Sequence, residues 1–105
     1  MILIENDQYF VIRTDSVAQI SYSFSYQFFD ATNTGTKIEA TNGTISAIGD
    51  EEFQNTNTKI QKINLISIRN NDAAVTNGVT ICKKVGANTY PLTAKIQLLA
   101  GEFAE

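Results

Sequence analysis

The sequence predicts an all-β protein, a single antiparallel β-sandwich of about seven or eight strands. Three observations lead there. Ile20, Tyr22, Phe24, Tyr26 and Phe28 alternate with Ser21, Ser23, Ser25 and Gln27, which is the period of a strand with one apolar and one hydroxyl-bearing face. No segment sustains a helical period. Asn and Thr crowd residues 31–35 and 54–58, a bias that suits turns and strands rather than helices.

The elements follow in order. Residues 1–7 open with Ile2, Leu3 and Ile4 and then turn acidic, forming a possible N-terminal arm ahead of the first clear strand. Such an arm either adds a strand to a sheet edge, its own or a neighbour's, or fills a groove on a partner; the plainer alternative is an ordinary first strand. Tyr9 to Arg13 is aromatic and β-branched and reads as a short strand ending at Thr14-Asp15-Ser16. The alternating strand over residues 20–28 comes next, then a loop over 30–35. Asn42-Gly43, flanked by 36–41 and 44–48, predicts a two-residue hairpin turn with Ile38, Ala40, Ile45 and Ala47 on one face. Residues 49–52 read as an acidic corner that Phe53 tacks to the core. In the strand from Lys59 to Arg69, Ile63 and Leu65 lie on one face and Ile66 and Ile68 on the other. Either both faces are buried or a β-bulge shifts the phase. Residues 70–78 are turn-rich, and 79–84 resume strand. Gly86-Ala87-Asn88 closes a second hairpin into a last long strand carrying Tyr90, Leu92, Ala94, Ile96 and Leu98. Pro91 lacks an N–H and places that end at an edge or a bulge.

With 105 residues, no internal repeat and no boundary signal, the chain is expected to be one domain over residues 1–105. Charged residues make up 18% of it, which excludes a charge-rich disordered tail. The net charge of -3 leaves no basic footprint for nucleic acid. His is absent and Cys82 is the single cysteine, so Ser-His, Cys-His, zinc and disulfide chemistry all lack their parts. The start lacks the basic n-region of a signal peptide, and no apolar run reaches the ~20 residues of a membrane span.

Candidate chemistry reduces to a few places. Asp50, Glu51 and Glu52 are the densest carboxylates, but consecutive strand or corner residues point apart and the spaced calcium-loop pattern is missing. Asp30, Glu39 and Asp72 lack the apolar surroundings a glycosidase acid requires. Cys82 has Lys83 and Lys84 beside it, yet strand neighbours face opposite ways, so a packed thiol is the plainer reading. Asn42-Gly43-Thr44 matches a glycosylation sequon, for which a turn is explanation enough. The row Ser21, Ser23, Ser25 and Gln27, with Tyr9 and Tyr90, suits either a sugar- or protein-binding face or a hydrated one. No catalytic, cofactor or metal residue is expected. With so few charges the sheet edges are poorly guarded, so another chain is expected to cover them.

From Lys62 the chain reads Lys-Ile-Asn-Leu-Ile-Ser-Ile-Arg-Asn-Asn-Asp, then Val79-Thr80-Ile81, Tyr90-Pro91-Leu92-Thr93 and Leu98-Leu99-Ala100-Gly101-Glu102. This order resembles small β-sandwich virion proteins of tailed bacteriophages, of the head-decoration, auxiliary-capsid and head-fibre-base type. The front half matches no motif of that group, and the fold alone carries many functions. The resemblance implies a non-enzymatic virion structural protein on the capsid surface, assembled in the host bacterial cytoplasm. Its partners would be the major capsid protein or other virion subunits, in a homo-oligomer or multicopy assembly, with no nucleic acid and no membrane. The alternative it leaves open is a receptor- or carbohydrate-binding sandwich domain of a phage fibre or adhesin.

Overall fold

The computed structural model describes residues 2–30, 32 and 35–104. Its strands are β1 (Ile2–Ile4), β2 (Tyr9–Thr14), β3 (Ile20–Phe29), β4 (Glu39–Ile45), β5 (Gly49–Gln54), β6 (Ile60–Asn70), β7 (Asn77–Val85), β8 (Asn88–Pro91), β9 (Ile96–Leu98) and β10 (Phe103–Ala104). All pair antiparallel, in two sheets that pack face to face as a β-sandwich. The first sheet runs β1-β6-β3-β4, with β10 also on β6; the second runs β5-β2-β7-β8, with β9 also on β7. Along the outer edge of β6, Ile2 stands opposite Ile63 and Ala104 opposite Ile68.

The alternation in β3 does what period two requires. Ile20 and Phe24 are buried, and Tyr22 and Tyr26 pack against the core. Phe24 is the hub: its ring meets Phe10 edge-on at 4.8 Å and Phe53 at 5.0 Å. Phe53 also touches Tyr22, so it fastens its segment to the core as the sequence suggests. The phase break in β6 is a bulge: Ser25 faces Leu65, but Tyr26 faces Ile63. The extra residue, Asn64, swings Ile63 back to the core face and leaves Leu65 outside. The hairpin after β7 also forms, with Val85 opposite Asn88 and Gly86 at φ 61°.

Three expectations fail, each for a physical reason. Asn42-Gly43 is not a turn but the middle of β4, with Ser23 opposite Asn42 and Tyr22 opposite Gly43. Neither residue has the positive φ that such a turn demands. Ile38, expected on a buried hairpin face, is 61% exposed. The acidic corner is the edge strand β5, paired along its length with β2, because alternate carboxylates can all stay in water at an edge. The last long strand breaks after Pro91 into β8 and β9, both on β7. The failed hairpin merges two expected strands into β4, and those two changes, with β1 and β10 at the ends, bring the strand number to ten.

Three asparagines at the strand ends are buried, each at most 1% exposed: Asn55, Asn70 and Asn77. Each pairs both polar atoms of its amide with backbone. Asn55 Nδ2 donates to Ile4 O and Lys59 O, at 2.9 and 3.0 Å, while Oδ1 accepts from Asn57 N. Asn70 Nδ2 donates to Val75 O and Leu98 O, at 2.8 and 2.9 Å, and Oδ1 accepts from Asp72 N. Asn77 Nδ2 donates to Ser16 O and Ala18 O, and Oδ1 accepts from Asp15 N. Next to it, Gly78 N donates to Asp15 Oδ1 at 2.7 Å. These amides tie loops to strands far away in sequence, and buried polar groups persist only when paired in this way.

Candidate docking surface

Ile2, Leu3 and Ile4, the possible docking arm, form β1 in the chain's own first sheet. Ile4 is fully buried in the core and Ile2 is half-buried against it. Leu3, facing outward, is 45% exposed. The segment is fastened rather than free. Gln8 N donates to Glu5 O at 3.0 Å across the turn into β2, Asp7 N donates to Asn55 O, and Asn55 holds Ile4 O.

Leu3 belongs to a larger apolar margin. Ile2, Leu3, Lys83, Leu92 and Thr93 line an open groove of about 560 Å³ between the β1 edge of one sheet and the β8 side of the other. Thr93 continues into a smaller pocket of about 140 Å³ with Ile66, Ile68, Ile81, Ile96 and Ala104. Leu92 and Tyr90 are exposed at this margin, and Phe103 on β10 is 67% exposed. A row of large apolar side chains along strands that end both sheets is the chemistry of a protein-binding surface. Lys83, half-buried in the groove, forms no ion pair among the described residues.

The opposite margin, β4 and β5, is acidic. Asp50 receives Arg13 Nε at 2.7 Å and Arg13 Nη2 at 3.1 Å, and Glu52 receives Lys84 Nζ at 3.0 Å. The Arg13 hydrogen bond holds the Asp50 carboxyl below its usual range, and Glu52 raises Lys84. Glu51 projects from the other face of β5, opposite Ile12. Thus the three neighbouring carboxylates do not converge. Among the described residues no three His, Cys, Asp or Glu side chains gather as a metal site. Asp72 instead accepts Ala74 N and Val75 N, both at 2.9 Å, and those bonds lower its pKa while shaping the loop after β6. Glu39 is exposed at the start of β4.

Cys82 lies opposite Val11 on the outer side of the second sheet, where both residues are fully buried. Burial pushes the thiol up, against the weaker pull of Arg13. The lysine beside it, Lys83, faces the opposite side. This is packing, not a reactive thiol.

Ser21, Ser23, Ser25 and Gln27 share the outer face of the first sheet with Ser67 and Leu65. Asn71 Nδ2 donates to Ser21 Oγ. The tyrosines expected with this row stand elsewhere. Tyr9 lies opposite Lys84, whose Nζ is 5.0 Å from its ring, and Tyr90 lies opposite Lys83, so they project from opposite faces of the second sheet. Of this margin, the sequence by itself points to Ile2 and Leu3 but not to Lys83, Leu92, Ile96 or Phe103. The available signal was the acid-free run over residues 73–101, which carries Lys83, Lys84 and Lys95. No protein-family model, curated protein or solved structure matches the chain.

Proposed function

We propose that this chain is a non-enzymatic structural subunit that docks on other proteins, and that its setting is the surface of a bacteriophage head. The observation that carries the docking is the apolar margin of Leu3, Tyr90, Leu92, Ile96 and Phe103 beside the open groove. Apolar area there is worth about 25 cal/mol per Å² when a partner covers it. The virion setting rests on the resemblance of residues 62–102 to phage head proteins, and the low charge and well-fastened loops suit a subunit that binds by shape. Carboxylates among the described residues support the non-enzymatic part of the reading: Asp15, Asp50 and Glu52 are paired with cations, Asp72 is bonded to backbone, and Glu39 and Glu51 are exposed.

The fibre or adhesin reading calls for aromatic rings gathered with the serine and amide row, and Tyr9 and Tyr90 are turned away from it. Immunogold labelling tests the proposal, using an antibody to this chain on phage particles purified from cells that produce it. Label over the heads is expected, and weaker label for Leu3→Asp/Leu92→Asp. Particles free of label overturn the virion setting, and undiminished label for the double variant overturns the docking margin.

A further inference from the structure

Resting on that reading and naming one of its partners, we infer that copies of this chain add head to tail, the β5 edge of one copy onto the β8 edge of the next. Strand direction is the first argument. Each sheet has four strand positions on its main path, and every neighbouring pair is antiparallel. With an even number of alternating strands, the two edges of a sheet run in opposite directions. A second copy placed alongside in the same orientation therefore sets its β5 antiparallel to β8 and its β4 antiparallel to β1. Both sheets then continue without a break in pattern.

Charge is the second argument, and it selects this joining over a two-fold one. The β5 edge carries Asp50, Glu51 and Glu52; the segment from β7 through β9 carries Lys83, Lys84 and Lys95 and no acid. Asp50, Glu52, Lys84 and Lys95 are already engaged within the chain. Glu51 and Lys83 form no ion pair among the described residues. Phe10 faces both Phe53 and Lys83, and Ile12 faces both Glu51 and Ile81, so Glu51 and Lys83 project from one face of the sheet at its two opposite sides. A two-fold contact of β5 with β5 would set carboxylates against carboxylates, and one of β8 with β8 would leave Glu51 and Lys83 of both copies without an opposite charge. Like charges opposed across strands destabilise, while the head-to-tail contact brings Glu51 toward Lys83. Lys83 stands one strand in from the β8 edge and so two strand spacings, ~9.6 Å, from the incoming β5, a span that the lysine and glutamate stems bridge together. Pro91 offers no N–H, so the new ladder runs along Asn88–Tyr90, with Tyr90 covered by the incoming strand. Contacts between unlike surfaces make rings or open filaments rather than closed dimers.

Sedimentation velocity on the intact chain tests this. The wild type is expected to form species larger than a dimer as concentration rises, and salt should dissociate them. Glu51→Lys and Lys83→Glu should each weaken association at least tenfold while leaving circular dichroism and the unfolding midpoint unchanged. An equimolar mixture of the two variants should associate again, because each then offers the charge the other lacks. A wild type that stays monomeric, a dimer indifferent to Glu51→Lys, or a mixture that fails to recover overturns head-to-tail addition. A monomeric chain that still labels phage heads overturns this inference and leaves the docking reading standing, whereas association without particle labelling does the reverse.

Discussion

The ring of Tyr22 lies directly over Gly43 on the neighbouring strand, so close that a Cβ at position 43 would stand 2.6 Å from the phenol oxygen and 2.9 Å from Cζ. Gly43 is an extended strand residue, and what it supplies is room for a ring that also meets Phe53 at 5.2 Å. Burial, with Glu51 adding to it, pushes the Tyr22 phenol up.

Gly43→Ala should therefore destabilise the protein, by about 1–3 kcal/mol in urea unfolding, although Gly→Ala in an unhindered strand stabilises. In a Tyr22→Ala background the same substitution should become neutral or favourable. Equal costs in both backgrounds would show that the ring is not the obstacle.

Neighbouring residues of β1 should behave oppositely. Ile4→Ala removes a fully buried side chain and should cost about 2–5 kcal/mol. Leu3→Asp should change stability by no more than about 0.5 kcal/mol, since its side chain is on the outer face. Deleting residues 1–7 removes Ile4 and takes from Asn55 its bonds to Ile4 O and Asp7 N, so the truncated chain should fail to give a cooperative unfolding transition.

Asn70→Ala leaves Val75 O and Leu98 O without their donor and Asp72 N without its acceptor. A loss of about 2–4 kcal/mol is expected. Hydrogen exchange should show the loop after β6 and the β9 strand losing protection together; loss in one alone would mean that the amide does not couple them.

Acid should weaken the fold through Asp15 and Asp50. The Lys95 hydrogen bond holds Asp15 low and the Arg13 hydrogen bond holds Asp50 low. Each contributes stability that is present above the ordinary carboxylate value, about pH 4, and is lost as pH falls through its lowered folded value. Denaturation midpoints should thus be flat from about pH 5 to about pH 7 and drop below about pH 4. Asp50→Asn should start lower at neutral pH and fall less steeply in acid; an unchanged acid limb would remove Asp50 from the account.

Cys82 should react with a thiol reagent orders of magnitude more slowly in the native protein than in denaturant, because the sulfur is buried and its thiolate disfavoured. Its native rate should rise with urea in parallel with global unfolding. Rapid native labelling would place the thiol at the surface.

What was legible in the sequence was local periodicity. β3 announces itself because aromatic and serine residues alternate without interruption, while the phase break of β6 between Leu65 and Ile66 fits two buried faces as well as a bulge until the pairing with β3 places the extra residue at Asn64. The pair Asn42-Gly43 misleads because its meaning depends on Tyr22, a strand away, and no window around residue 42 contains that ring. The asparagines at 55, 70 and 77 look like ordinary turn formers for the same reason. Their partners Ile4, Leu98 and Ala18 lie 51, 28 and 59 positions off. The apolar margin was half visible: Ile2 and Leu3 stand out at the start, but the strands from residues 90–104 that join them do so only once both sheets have closed.

The pinning of Asn77 also sets a chemical clock. An asparagine followed by glycine ages when the glycine's backbone nitrogen attacks the side-chain amide carbon, closing a succinimide and expelling ammonia. At Asn77-Gly78 that nitrogen's hydrogen is held by Asp15 Oδ1, and the amide is fixed by three hydrogen bonds, so the ring cannot close while the second sheet is intact. Isoaspartate at residue 77 therefore records time spent open rather than time elapsed. A stored sample read by peptide mapping would carry at that one position a cumulative history of its own unfolding.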